Sequence, residues 1–298
     1  MELHTDDKII SRQSNWVFDE HVAPEFDKHV KKSVPNYTHV QELAETFSDW
    51  FTYPSSTVID FGASTGETLR RIKRRHTKEL TLIGYDNSQA MIEQAKHKGI
   101  DITFADLEKP FELPELSYGV ALYTLQFLRP NSRYDLLKRI YRKLSNSGAL
   151  FIVEKVLGST AQMQDILQQL YWEMKAKNGF SSEQIINKAK ALRGCMYPKT
   201  ISDNEAEFTA LGFNSELHFI DIDCLDKALT PEQFKKAAES IVDMNGFQPD
   251  YSHELLDSLM ERQLELLGYD VLPIRKSPRY YYDPENNAVV FSQFNERK

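Results

Sequence analysis

The sequence predicts an α/β protein built on a doubly wound, mainly parallel, seven-stranded sheet, with an N-terminal helical cap and a helical insertion before the last strand. Three observations carry that expectation. Short apolar runs of strand length alternate with amphipathic helical stretches over most of the chain. One run, Thr57–Phe61, ends at Gly62 in a tight turn, and helical periodicity starts at Glu67. Acids stand at the ends of three successive runs: Asp60, Asp86 and Asp106.

In order, residues 1–14 are polar and charged and are expected to be disordered. Residues 15–52 are expected to form the cap. There, Trp16, Phe18, Phe26, Val30 and Val34 interleave with charges, and a short helix over 19–32 stops at Pro35. The stretch 38–51 sets Val40, Leu43, Phe47, Trp50 and Phe51 on the apolar side of an amphipathic helix. An α/β domain is expected over 53–222, with strands at 57–61, 80–85, 102–105, 118–123, 149–153 and 216–222. Helices at 67–75, from Ser88 through Ala95, at 133–144 and at 202–211 serve as crossovers, Ser88 being an N-cap. Two helices, 160–178 and 181–192, fall outside the alternation and are expected to cover the carboxyl edge of the sheet. Residues 223–286 read as an insertion with helices over 231–245 and 251–267, ending in Arg279-Tyr280-Tyr281-Tyr282. Residues 287–298 then carry the last, antiparallel strand.

Composition narrows the function. A net charge of −8 gives no general attraction for phosphate backbones, so direct nucleic-acid binding is not expected. No apolar run approaches the roughly 18 residues a membrane span needs. The two cysteines, Cys195 and Cys224, form neither a metal-ligand spacing nor a disulfide framework, which suits a cytoplasmic protein. His21 and His29 can share a helix face but have no third ligand nearby, so no metal is expected. The cluster Arg70, Arg71, Lys73, Arg74, Arg75 is a phosphate patch or, more simply, a solvated helix face.

The chemistry gathers at the strand ends. Gly62 admits a ligand close to the backbone, and Gly66 stands where a helix begins and free N–H groups point back at the strand. Asp60 is too polar for an idle core position. An acid ending strand two accepts ribose hydroxyls in dinucleotide folds, and one after strand three can take an adenine amino group. Each acid alone could be a mere loop or N-cap residue; three in one crevice are harder to dismiss. The first turn lacks the third glycine and the room for a pyrophosphate, so a nucleoside without phosphates fits better: S-adenosyl-L-methionine (SAM).

The pattern resembles class I SAM-dependent methyltransferases, and more narrowly the carboxy-SAM synthase family, which makes a modified cofactor for tRNA wobble-uridine modification. The resemblance runs from residue 15 to about 219. It rests on Asn15-Trp16-Val17-Phe18-Asp19-Glu20-His21-Val22, Lys32-Ser33-Val34-Pro35-Asn36-Tyr37, Asp86-Asn87-Ser88-Gln89-Ala90-Met91-Ile92 and Tyr123-Thr124-Leu125-Gln126-Phe127-Leu128. Gly148-Ala149-Leu150, Glu154-Lys155 and Asn178-Gly179-Phe180 also match. The resemblance implies cofactor contacts at Tyr37, Gly62, Ala63, Ser64, Asp86, Asn87, Asp106 and Leu107; Thr124, heading the motif after strand four, is taken with them. It also implies a homodimer. Two positions depart from the family: its asparagine after strand four aligns with Leu122, and its arginine, which grips the extra carboxylate across the dimer, aligns with Ala189.

The candidate catalytic groups are Tyr37, which the resemblance brings from the cap to the methionine end unless it is a core tyrosine beside Pro35, and Tyr171 and Trp172, aromatic faces that could steady a sulfonium or simply pack the covering helix on the sheet. Glu154 and Lys155 are an acid–base pair or a plain ion pair at a strand end. The leading expectation is a SAM-dependent transferase acting on a small molecule. The alternatives are carboxy-SAM synthesis from SAM and prephenate, internal cyclisation or cleavage of SAM releasing methylthioadenosine, and a non-catalytic SAM-binding protein.

Overall fold

The computed structural model describes residues 2–6, 8–214, 217–221, 279–283 and 288–292. The chain divides into two units, residues 1–214 and 215–298.

The first unit opens on an antiparallel hairpin, β1 (Glu2–His4) against β2 (Ile10–Arg12), with Leu3 opposite Ser11. This corrects the expectation of disorder. Leu3 and Ile9 are fully buried, and the Thr5 hydroxyl closes the turn on the Ile9 carbonyl at 3.2 Å. Ile9 packs with Val22, Phe26 and Val30. Two apolar anchors, worth about 1.5–3 kcal/mol each when buried, outweigh a polar composition.

The expected cap helix is split. The Asp19 carboxylate accepts the amides of His21 and Val22, a 3-10 turn follows at Ala23–Glu25, and α1 spans Phe26–Ser33. Asn36, at φ 47°, turns the chain into α2 (Tyr37–Phe51).

Five strands then form one sheet: β3 (Thr57–Phe61), β4 (Thr81–Asp86), β5 (Ile102–Phe104), β6 (Leu116–Leu122) and β7 (Leu144–Val153). Their order is β5-β4-β3-β6-β7 and every pairing is parallel, with Ile59 registered between Ile83 and Gly119. β3 and β6 are the central strands and are buried almost throughout, as parallel strands covered on both faces must be. The crossovers are α3 (Glu67–Arg75), α4 (Gln89–His97) and α5 (Pro130–Lys143); α6 (Ala161–Lys177) and α7 (Ser182–Ala191) follow β7, and α8 (Ile201–Leu211) closes the unit. One core packs Ala44 of α2, Leu69 and Ile72 of α3 and Ala95 of α4 against Val58, Tyr118 and Val120. A second packs Leu136, Leu137 and Ile140 of α5 and Leu211 of α8 against Ile59, Phe61 and Ala121. So α2 belongs to the sheet's covering layer, not to a cap alone.

Three of the four arginines of α3 are paired with acids, which leaves little of the cluster as a phosphate patch, and Arg74 and Lys73 are exposed. Arg70 and Arg71 bind Glu67, Arg71 also meets Glu42 and Glu45, and Arg75 holds Asp49 at 2.6 Å, which ties α3 to α2.

The second unit contains β8 (Leu217–Asp221), β9 (Arg279–Asp283) and β10 (Ala288–Ser292), an antiparallel sheet in the order β8-β10-β9 with Val290 between Phe219 and Tyr281. Of the seven strands expected in the main sheet, the described residues place five in one parallel sheet of the first unit; the β1–β2 hairpin and the three-stranded antiparallel sheet of the second unit are separate sheets. The tyrosine run expected to close a helical insertion is itself a strand, as its aromatic composition favours. The helices expected over 231–245 and 251–267 lie outside the described residues.

Candidate active site

β3 delivers the loop. Gly62 (φ +80°) and Gly66 (φ +73°) adopt left-handed conformations, the second as the residue before α3. The N–H groups of Gly62 and Ala63 both go to the Tyr85 carbonyl, at 2.8 and 3.0 Å, lashing the loop to β4. At the end of β4, one Asp86 oxygen accepts the Ser64 amide and the other the Ser88 amide, each at 2.8 Å. Asp86 thus holds the first turn against the second, while two oxygens with about four lone-pair sites keep capacity for further donors. Burial pushes its carboxyl above the usual range, and the amides of Ser88, Ser64 and Asn87 pull it back. The Ser88 hydroxyl accepts the Met91 amide at 3.1 Å as the N-cap of α4, as expected, and donates to the Phe18 carbonyl.

Asp60 is 2% exposed; burial pushes its carboxyl up to about 8, with the Asp86 charge adding to it. Asp106 differs again. It accepts the Glu108 amide at 3.0 Å and pairs with Lys109 at 2.9 Å, which holds its carboxyl below the usual range. Asn87 is exposed beside this edge. Leu107 turns its side chain into the core, where it is 6% exposed. Thr124 lies across from Gly62, its hydroxyl on the Leu122 carbonyl at 3.2 Å.

Tyr37 begins α2 and stacks on Tyr123 with ring centroids 5.8 Å apart. Burial, then the charges of Asp27 and Asp60, drive its phenol far above the ordinary tyrosine range. Asp27 of α1 accepts the Thr65 hydroxyl at 2.7 Å and pairs with Lys98, so α1 is tied to the glycine loop. A cavity of about 430 Å³ lies on this side, lined by Asp27, Lys31, Tyr37, Gln41, Glu67, Arg70 and Lys98. The Gln41 amide oxygen is buried there without a hydrogen-bond partner.

Of the two aromatics expected on the covering helix, Tyr171 faces inward. Its hydroxyl donates to the Ser33 carbonyl at 3.0 Å, and burial pushes the phenol to about 12. Trp172, the next residue on α6, is 41% exposed. The Glu154–Lys155 pairing does not form. Glu154 binds Arg133 through two hydrogen bonds, at 2.6 and 2.8 Å. Arg133 is fully buried and also bonds Glu207 at 2.7 Å and Asn204 at 2.9 Å. Sequence reasoning missed Arg133, although it shares a helical face with Leu136, Leu137 and Ile140. It missed Gln41 too, which shares one with Ala44 and Ser48.

A glycine loop between a first parallel strand and its helix, backed by an acid ending the second strand, is the nucleoside-binding arrangement of SAM-dependent methyltransferases. The profile of the methyltransferase domain family matches residues 58–148. This is a SAM-dependent enzyme of the transferase type. A carboxy-S-adenosyl-L-methionine synthase of Staphylococcus epidermidis is 32% identical over 203 residues, covering 66% of this chain and 89% of that protein. The counterpart in Escherichia coli O7:K1 is 31% identical over 220 residues, covering 70% and 89%. The chain belongs to the carboxy-S-adenosyl-L-methionine synthase family. Among solved structures, a plantazolicin methyltransferase in complex with SAH aligns with a TM-score of 0.48 at 16% identity, over 76% of this chain and 84% of that one.

Proposed function

We propose that the crevice at the carboxyl ends of β3, β4 and β6 binds SAM and that the enzyme transfers a one-carbon group to a small molecule. The observation that carries this is the joint held by Asp86: its carboxylate fixes the glycine loop through the Ser64 amide and still faces the crevice with acceptor capacity. In this reading the backbone of Gly62, Ala63, Ser64 and Gly66 lines the cofactor's amino-acid end, with Asp60, buried and protonated at neutral pH, beneath it. Asp86 and Asn87 take the ribose, Asp106 and the Leu107 backbone take the adenine edge, and Thr124 closes the floor. Tyr37 approaches the reactive end from α2.

When bound, SAM supplies an electrophilic one-carbon group on a sulfonium. Displacement at such a centre asks the protein for alignment and exclusion of water, not for an acid–base triad. Tyr37 and Tyr171 suit that task. Their phenols stay protonated at neutral pH, so they act as aromatic faces and hydroxyl donors instead of bases.

Kinship favours a second reading: carboxy-SAM synthesis with prephenate as the carboxyl source. Leu122 and Ala189 stand where the family's asparagine and arginine align. Mass spectrometry of the co-purified nucleoside, then of products made from SAM with and without prephenate, separates the two. A SAM-derived product heavier by a carboxyl group, formed only with prephenate, establishes the second; S-adenosylhomocysteine formed with an added acceptor establishes the first. A purified protein that binds no SAM overturns both. The same reading places the enzyme in the cytoplasm as a homodimer, which light scattering tests.

A further inference from the structure

The glycine loop is held from two sides, by the sheet and by the cap. Within it, Gly62 (φ 80°), Ser64 (φ 48°) and Gly66 (φ 73°) are all left-handed. Backbone of that kind persists only where its surroundings fix it. On the sheet side, the Tyr85 carbonyl takes the amides of Gly62 and Ala63, and the Asp86 carboxylate takes that of Ser64. Thr65 carries the other side. It is 3% exposed. Its hydroxyl donates to Asp27 of α1 at 2.7 Å and accepts from the Lys98 ammonium at 2.8 Å. Lys98, the C-cap residue of α4, also pairs with the second Asp27 oxygen. The three side chains close a ring, each supplied by a different segment: the loop, α1 and the end of α4.

Stability accounts for little of this ring. The Asp27 and Lys98 side chains are 39% and 24% exposed, and an ion pair so open to water contributes little to folding. Both residues line the cavity of about 430 Å³ together with Tyr37 and Gln41, so the ring borders space that a ligand can reach. A hydrogen bond from a hydroxyl to a charged carboxylate is short and strong, and it fixes the donor's direction. We propose that Asp27 is a positioning residue for the cofactor: acting through the Thr65 hydroxyl, with Lys98 as its counter-ion, it sets the glycine-loop backbone against the amino-acid end of SAM and couples that loop to the seating of α1 and Tyr37. This role presupposes that the crevice binds SAM. In that reading the ribose and adenine sit at Asp86 and Asp106, so opening the ring is felt at the amino-acid end and not by adenosine.

The test is titration calorimetry of the full chain with SAM, S-adenosylhomocysteine and adenosine, alongside thermal unfolding. Thr65→Val and Asp27→Ala are each expected to weaken SAM and S-adenosylhomocysteine about fivefold or more, to leave adenosine within about twofold, and to melt close to the unsubstituted chain. Thr65→Ser keeps the hydroxyl and is expected to bind SAM within about twofold of wild type. Asp27→Ala/Thr65→Val is expected to bind SAM within about twofold of Asp27→Ala alone, because both substitutions open the same ring. Four results overturn the proposal: wild-type SAM affinity in either single variant; equal losses for SAM and adenosine, which mark a general brace of the fold; Thr65→Ser as weak as Thr65→Val; or losses that multiply in the double variant. An unsubstituted chain that binds neither SAM nor adenosine overturns the cofactor reading and this role with it, whereas wild-type SAM affinity in the variants overturns this role alone.

Discussion

A methyl group on Gly62 would lie 2.2 Å from the Thr124 hydroxyl oxygen. The first strand's glycine and the residue after β6 are therefore fitted to each other across the crevice, with no room for a side chain between them. Gly62 also holds φ +80°, which an L-residue adopts only with strain.

Gly62→Ala is expected to lower SAM affinity at least tenfold and stability by about 1–3 kcal/mol. Shortening the partner in Gly62→Ala/Thr124→Ala relieves the clash but not the backbone strain, so it recovers part of the loss. Calorimetric SAM titration of the three variants measures this. Wild-type affinity in the single glycine variant would refute the close approach.

Asp86→Asn replaces an acceptor-only carboxylate by an amide whose NH2 must face the N–H of Ser64 or Ser88. A donor set against a donor leaves one amide unpaired, at a cost of about 1–3 kcal/mol. SAM binding is expected to weaken at least tenfold, with the adenosine part of the ligand affected as much as the whole. Comparing SAM with adenosine as ligands checks it; unaltered adenosine binding would remove Asp86 from the site.

The pH dependence of stability carries a signature of Asp60. Its carboxyl keeps a proton up to about pH 8 in the native state, against 3.8 for an unperturbed aspartate. Between those values the unfolded chain binds fewer protons than the native one. Stability from this group is thus fully present below the lower value and is lost as pH rises through the upper, with a slope of at most about 1.4 kcal/mol per pH unit. Asp60→Asn is expected to flatten that slope in urea melts at pH 5, 7 and 9. Parallel slopes in the two proteins would show that Asp60 is ionised in the fold.

Among the described residues, Arg133 is the one cation that binds both Glu154 and Glu207, and it is fully buried. Arg133→Met leaves Glu154 buried and uncompensated, an expected loss of about 3–5 kcal/mol. Arg133→Met/Glu154→Gln is expected to recover part of it. Urea denaturation decides; a single variant within about 1 kcal/mol of wild type would make the network energetically neutral.

Much of the fold is legible in residue order. The run Thr57–Phe61 ending in glycine, the Ser88 cap and the apolar spacing of α2, α3 and α5 are local patterns, and the described elements follow them closely. The hairpin at β1 and β2 was hidden because its stability comes from Ile9 docking on α1, a contact its own composition does not encode. The strand Arg279–Asp283 was hidden by the charged sequence before it, although its three tyrosines favour a strand.

The site divides the same way. That Gly62, Asp60, Asp86 and Asp106 share one edge follows from strand–helix alternation, because parallel strands bring every carboxyl end to the same side. What sequence could not determine is the state of each group. Three similar aspartates become a buried acid, a backbone clasp and a surface ion pair; Glu154 finds Arg133 instead of its neighbour Lys155; and Lys175, one more charge on a polar helix, is enclosed with its ammonium against a tyrosine ring. Periodicity is a property of neighbours in the chain and sets elements and their order. Solvation and charge pairing depend on which distant segments close over a residue, and only the tertiary structure decides that.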